Sequence, residues 1–153
     1  MTIFEYRKSL IQSAPDNKKT SYIKITNEPK DNVTTFLFGK TYRYTLPKRE
    51  LKKIIAIIDK HPALFDIKEL ESNNSLEGDE FQFTFSNGEK TNSFTGYNIL
   101  DYGSKPRKNA TLALRIARDI NESVLQLNNI RTTIPNRLQH WPKYRKSSNL
   151  IKI

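Results

Sequence analysis

Phe81, Phe83 and Phe85 alternate strictly with polar residues and run straight into Asn87-Gly88. Period-2 alternation is the mark of a strand with one buried face. Asn-Gly supplies the positive φ that a tight type I′ hairpin turn requires. A two-residue turn centred there predicts Ser86 opposite Glu89 and Phe81 opposite Phe94, with two rings meeting on the apolar face. Such a hairpin does not stand alone in water. The rest of the chain must provide further strands and a cover for the aromatic face.

The chain is long enough to do so. Its 153 residues match one domain able to bury roughly 68–70% of its unfolded surface. With 36% apolar residues, eight Phe and seven Tyr must carry much of the core. Strands are expected at 3–12, 22–26, 33–38 and 41–46, with turns around Pro29 and Gly39-Lys40. Tyr42, Tyr44 and Leu46 fall on one face. Pro47 suits the first turn of a helix. Leu51, Ile54, Ile55 and Ile58 then follow at helical spacing, and His61-Pro62 ends the run. Residues 63–79 form an acidic connector carrying Asp66, Glu69, Glu71, Glu77 and Asp79. After the Phe hairpin, residues 96–103 allow a short strand. Asn109 is a good N-cap for a helix from Ala110. Its core stripe is Ala113, Ile116, Ala117, Ile120, Val124 and Leu127, and Arg115, Arg118, Asp119 and Glu122 make up much of the wet side. Pro135 closes it.

These elements predict an α+β fold. An antiparallel sheet of about five to six strands carries hairpins at 33–46 and 80–95. Two helices, at about 47–60 and 110–128, cover one face. Residues 1–135 make a single domain and 136–153 a basic, aromatic-containing C-terminal tail. The two hairpin-then-helix halves share a plan but little residue identity, so they are one packing solution used twice, not a repeat.

Charge is spread unevenly. The net +10 divides into +7 over residues 1–58, −6 over 59–102 and +9 over 103–153. Lys48, Arg49, Lys52 and Lys53 crowd the first two turns of the first helix, where the dipole favours acids instead. Lys105, Arg107 and Lys108 follow in a basic loop. Arg137, Lys143, Arg145 and Lys146 stand in the tail with Trp141 and Tyr144 between them. Solubility explains charged helix faces in general. A partner-binding role explains why these charges cluster, with aromatic anchors typical of interfaces.

Chemistry finds little purchase. The chain has no cysteine, which excludes thiolate catalysis, thiolate metal sites and disulfides. His61 and His140 are the only histidines; neither has a nearby residue marking it as a general base. The five glycines form no phosphate-binding loop. Asp66-Ile67-Lys68 matches half of a metal-nuclease signature, but the same spacing recurs at Asp16/Lys18, Glu28/Lys30 and Glu50/Lys52. The connector lacks the order of a calcium-binding loop. No cofactor or metal is expected, and no targeting or membrane-spanning segment. The absence of cysteine suits the cytoplasm.

The resulting expectation is a cytoplasmic, non-enzymatic protein that binds an acidic protein surface, as small bacterial inhibitor or immunity-type proteins do. The Lys-, Asn- and Ile-rich composition fits a microbial source. Nucleic-acid binding through phosphate contacts is the alternative, supported by a pI of 9.8 and opposed by the acidic middle and the lack of any nucleic-acid-binding motif. An enzyme built on carboxylates, Tyr and Arg is the third and weakest reading.

Overall fold

A computed structural model describes residues 1–10, 20–37, 39–72, 79–99 and 107–125. Within them the chain runs β1 (Thr2–Leu10), β2 (Thr20–Thr26), β3 (Val33–Leu37), β4 (Lys40–Tyr44), α1 (Lys48–Asp59), a 3-10 helix (Pro62–Asp66), β5 (Asp79–Ser86), β6 (Thr91–Tyr97) and α2 (Lys108–Ile120). The six strands form one sheet in the order β4-β3-β2-β1-β5-β6, and every neighbouring pair is antiparallel. The first four strands meander outward. The chain then leaves the β4 edge, crosses one face as α1, and lays the Phe hairpin against the other side of β1.

Pairing puts Phe4 beside Ile25 and Phe85, and Tyr6 beside Ile23 and Phe83. With Phe81, Phe94 and Val33 they form the apolar face. Onto it pack Leu51, Ile54 and Ile58 of α1 and Ala113, Ile116, Ala117 and Ile120 of α2. Ala113 and Ala117 are fully buried, the close approach their size permits. The ring of Phe83 stacks on Phe85 at 5.9 Å and on Phe94 at 5.8 Å. Such pairs add about 0.5–1.5 kcal/mol each beyond the area they bury. The opposite face of the sheet is mostly polar; on it Tyr22 stacks on Phe36 at 5.7 Å and lies under the Arg7 guanidinium at 4.5 Å.

Several local expectations are corrected. The hairpin register is two residues off: Ser86 faces Thr91, Phe83 faces Phe94, and Phe81 faces Gly96. The Asn87 N–H donates to the Lys90 carbonyl, so Gly88 and Glu89 are the central turn residues. Gly88 has φ of +97° while Glu89 is not in the positive-φ region, the pattern of a type II′ turn, in which glycine comes first. The Asn87 side chain is drawn back to accept from the N–H groups of Glu89 and Lys90, and so occupies the position before the turn. A shift of two preserves which face each side chain occupies.

Asn109 does not cap α2, which starts at Lys108. Its free N–H groups are met from a distance: the Glu71 carboxylate accepts from the N–H of Asn109 at 3.1 Å and of Ala110 at 2.8 Å. The connector holding Glu71 is accordingly docked rather than merely solvated. Leu64, Ile67 and Leu70 are buried, and the Asn92 amide donates to the carbonyls of Leu64 and Ile67. Arg118, expected on the wet side, is 3% exposed. Beyond Ile120 the helix widens into a π turn, Asn121–Leu125. The next buried apolar side chain is therefore Leu125, with Val124 only partly buried. Of the strand allowed at 96–103, Gly96 and Tyr97 are the end of β6, which stops at Tyr97, and 100–103 lie outside the described residues. Leu127 and the tail 136–153 lie outside the described residues.

Candidate binding surface

The cations of α1 share one side of their helix. Leu51, Ile54 and Ile58 turn inward, while Lys48, Arg49, Lys52 and Lys53 are all exposed. Glu50, missed as a partner in the sequence, is the acid of the first turn. It accepts from Lys53 at 3.3 Å and pairs with Arg49 at 3.8 Å. One carboxylate thus partly offsets the mismatch with the helix dipole. Lys48 and Lys52 make no ion pair among the described residues.

The entry to α1 is tied to the turn before β3, chiefly by the Asn32 side chain. Asn32, 1% exposed, accepts from the Leu46 N–H at 2.7 Å and donates to the Leu46 carbonyl at 3.0 Å and the Glu28 carbonyl at 3.1 Å. Only Thr45, Leu46 and Pro47 separate β4 from the helix. Lys48 and Arg49 therefore stand where the last strand ends. Along β4, Lys40, Thr41, Tyr42 and Arg43 are all exposed, and Tyr42, at 49%, is among the most exposed large side chains. Lys40, Tyr42 and Tyr44 take the helix side of the strand and Arg43 the open side, by the pairing with β3. Tyr44 is half-buried; burial pushes its hydroxyl up to about 12. That hydroxyl has no hydrogen-bond partner among the described residues. The edge thus combines six exposed cations with an exposed tyrosine, a combination that interfaces favour.

Of the other proposed cations, the two among the described residues, Arg107 and Lys108, lie away from this patch. Arg107 is half-buried, and its guanidinium donates to the Ile99 carbonyl at 3.1 Å. Lys108 is exposed at the first turn of α2. That turn is held by Glu71 next to β6, at the opposite sheet edge, roughly five strand spacings or 24 Å from β4. Lys105, Arg137, Trp141, Lys143, Tyr144 and Arg145 lie outside the described residues.

A second charged group sits where α2 passes the end of α1. Arg118 donates to the Glu122 carboxylate at 2.8 Å. Burial lowers Arg118, with Glu122 and Asp119 opposing it. Burial likewise raises Asp119 against the pull of His61, Arg115 and Arg118, and raises Glu122 against Arg118. For all three groups the loss of water outweighs the attraction between them, as is common for buried pairs. Perturbed carboxyls of this kind occur in active sites and in structural ion pairs alike. Here they lie where α2 passes into the π turn. Among the described residues no group of three His, Asp or Glu is placed to hold a metal ion. No helix among them is long and apolar enough to cross a membrane.

Function has to be read from this surface chemistry: no protein-family model matches the chain, and no match is found among curated proteins.

Proposed function

We propose that this is a non-enzymatic binding protein of the cytoplasm that recognises an acidic surface on a partner protein, in the manner of small bacterial inhibitor or immunity-type proteins. The observation carrying this reading is the run of exposed cations on consecutive elements, Lys40 and Arg43 on the edge strand β4 and Lys48, Arg49, Lys52 and Lys53 on α1, together with exposed Tyr42. Positive charge there steers an acidic partner during encounter. Tyr42 supplies rigid contact area at little cost in conformational entropy.

The test is capture of partners from a bacterial lysate by the full chain and by a variant with Lys48, Arg49, Lys52 and Lys53 changed to Glu. One stoichiometric acidic protein, retained by the parent and lost by the variant, is the expected result. Equal retention by the variant removes these four residues from the site.

Nucleic-acid binding is the second reading, supported by the net charge of +10 and by Tyr22 and Phe36 on the open sheet face. It is weaker because those rings already stack on each other and under Arg7, which leaves less ring surface for bases. Titration of labelled single- and double-stranded DNA and RNA decides it. Phosphate-driven binding must weaken steeply with salt, and no binding at low salt eliminates it.

A further inference from the structure

The two edges of the sheet are finished differently. On β6 the outward main-chain groups are those of Thr91, Ser93, Thr95 and Tyr97, because Asn87 and Lys90 hydrogen-bond next to the turn and the pattern alternates from there. The connector covers two of these positions. The Leu70 N–H donates to the Thr95 carbonyl at 3.0 Å, and the Tyr97 N–H donates to the Ser72 hydroxyl at 2.8 Å. The same alternation applied to β4, where Leu37 and Lys40 flank a two-residue turn, turns Thr41 and Arg43 outward. Among the described residues nothing bonds to their main-chain groups. Exposed strand edges of this kind template the addition of another strand.

We propose that β4 is a docking edge for an extended acidic strand of the partner protein, which adds antiparallel or parallel to the sheet as a seventh strand through the main-chain groups of Thr41 and Arg43. Charge selects this occupant. An incoming strand would lie between Lys40 on the helix side and Arg43 on the open side, with Lys48 and Arg49 following the end of β4. A strand with Glu or Asp at alternate positions can turn them to the open side toward Arg43, which leaves the apolar residues between them on the helix side over Tyr42. A second copy of the chain would instead bring its own Lys40, Arg43 and α1 cations against the same set, and like charges at such short range disfavour it. Main-chain bonding provides affinity and the alternating side chains provide selectivity, as in other strand-addition complexes. This rests on the proposed function only in taking the partner to be acidic.

The probe is a blocked peptide alternating Glu and Val, roughly eight residues long to match a typical strand. It is titrated into the isotope-labelled full chain at low salt, with amide shifts and hydrogen exchange as readouts. Binding with new protection of the Thr41 and Arg43 amides is expected. Thr41→Pro removes one outward donor, no charge and no bond to β3, a change that edge strands tolerate. It is expected to weaken the peptide about tenfold while the circular dichroism spectrum and melting temperature stay near those of the parent. A peptide methylated on alternate nitrogens gives the same information with the protein unaltered. No binding, or equal binding by Thr41→Pro and by the methylated peptide, overturns the inference. So does protection of Thr41 and Arg43 in the free protein, which would show the edge already paired, within the chain or, if concentration-dependent, by a second copy. Loss of the peptide on reversing the four α1 charges, with Thr41→Pro unaffected, overturns strand addition and leaves the acidic reading standing. The opposite pattern removes the four α1 cations from the site and keeps the strand.

Discussion

Asn32 shows how much one polar side chain decides here. Fully hydrogen-bonded, it joins the turn before β3 to the entry of α1 through Leu46. Removing it strands buried main-chain groups that water does not reach. Asn32→Ala is expected to cost about 2–3 kcal/mol in chemical denaturation, and to loosen Lys48 and Arg49 relative to β4. The pair Arg118 and Glu122 follows a different rule. Glu122→Ala leaves a guanidinium buried without its 2.8 Å carboxylate and is expected to cost about 3 kcal/mol or more. The double change Arg118→Met with Glu122→Leu is expected to cost less than that single change, because both desolvation penalties vanish together. The carboxyls of Asp119 and Glu122, raised by burial, also set a pH response. The folded chain holds their protons to higher pH than the unfolded chain does. Their contribution to stability is thus complete below the ordinary carboxylate range and is lost as pH rises through the raised values. Urea midpoints measured across that range are expected to fall less steeply for Asp119→Asn than for the parent.

At the scale of elements, β6 and the connector fit each other through a missing side chain. A Cβ at Gly96 would come within 2.6 Å of both Leu70 and Ile99, so this glycine makes room for the segment that covers the β6 edge. Gly96→Ala is expected to lower stability by about 1–3 kcal/mol and to raise exchange of the Tyr97 amide, whose partner Ser72 lies in that segment. The alternation of Phe81, Phe83 and Phe85 revealed the strand and its buried face from sequence alone. It did not reveal the turn, because Asn87-Gly88 accommodates either of two registers and the Asn87 side-chain bonds select between them. The capping of α2 was equally invisible. Glu71 and Ala110 are 39 residues apart, and no local pattern connects them.

For the whole molecule, the sheet order separates cations that the sequence left undivided. The α1 cluster follows one edge strand and Lys108 stands at the other edge, so the partner proposed for the β4 edge need not touch α2. Association with an acidic partner is expected to slow by one to three orders of magnitude, from electrostatic steering alone, on going from low to high ionic strength. Dissociation is expected to change less. Stopped-flow measurement of both rates in the parent and in the four-site Glu variant checks this, with the variant showing little salt dependence of its on-rate.

Period, composition and turn chemistry determined the elements of this protein: strands of alternating aromatics, two helices with apolar stripes, and the faces on which they meet. These are properties of neighbours within a turn or a strand pair, where the relevant forces act over a few residues. Tertiary structure alone decided that the connector covers the β6 edge, that Glu71 caps α2, that Arg118 is buried, and that Lys40 and Arg43 stand on an edge strand. Each of these depends on segments far apart in the chain competing for the same few ångströms, and that competition is settled only when the sheet closes its order around β1.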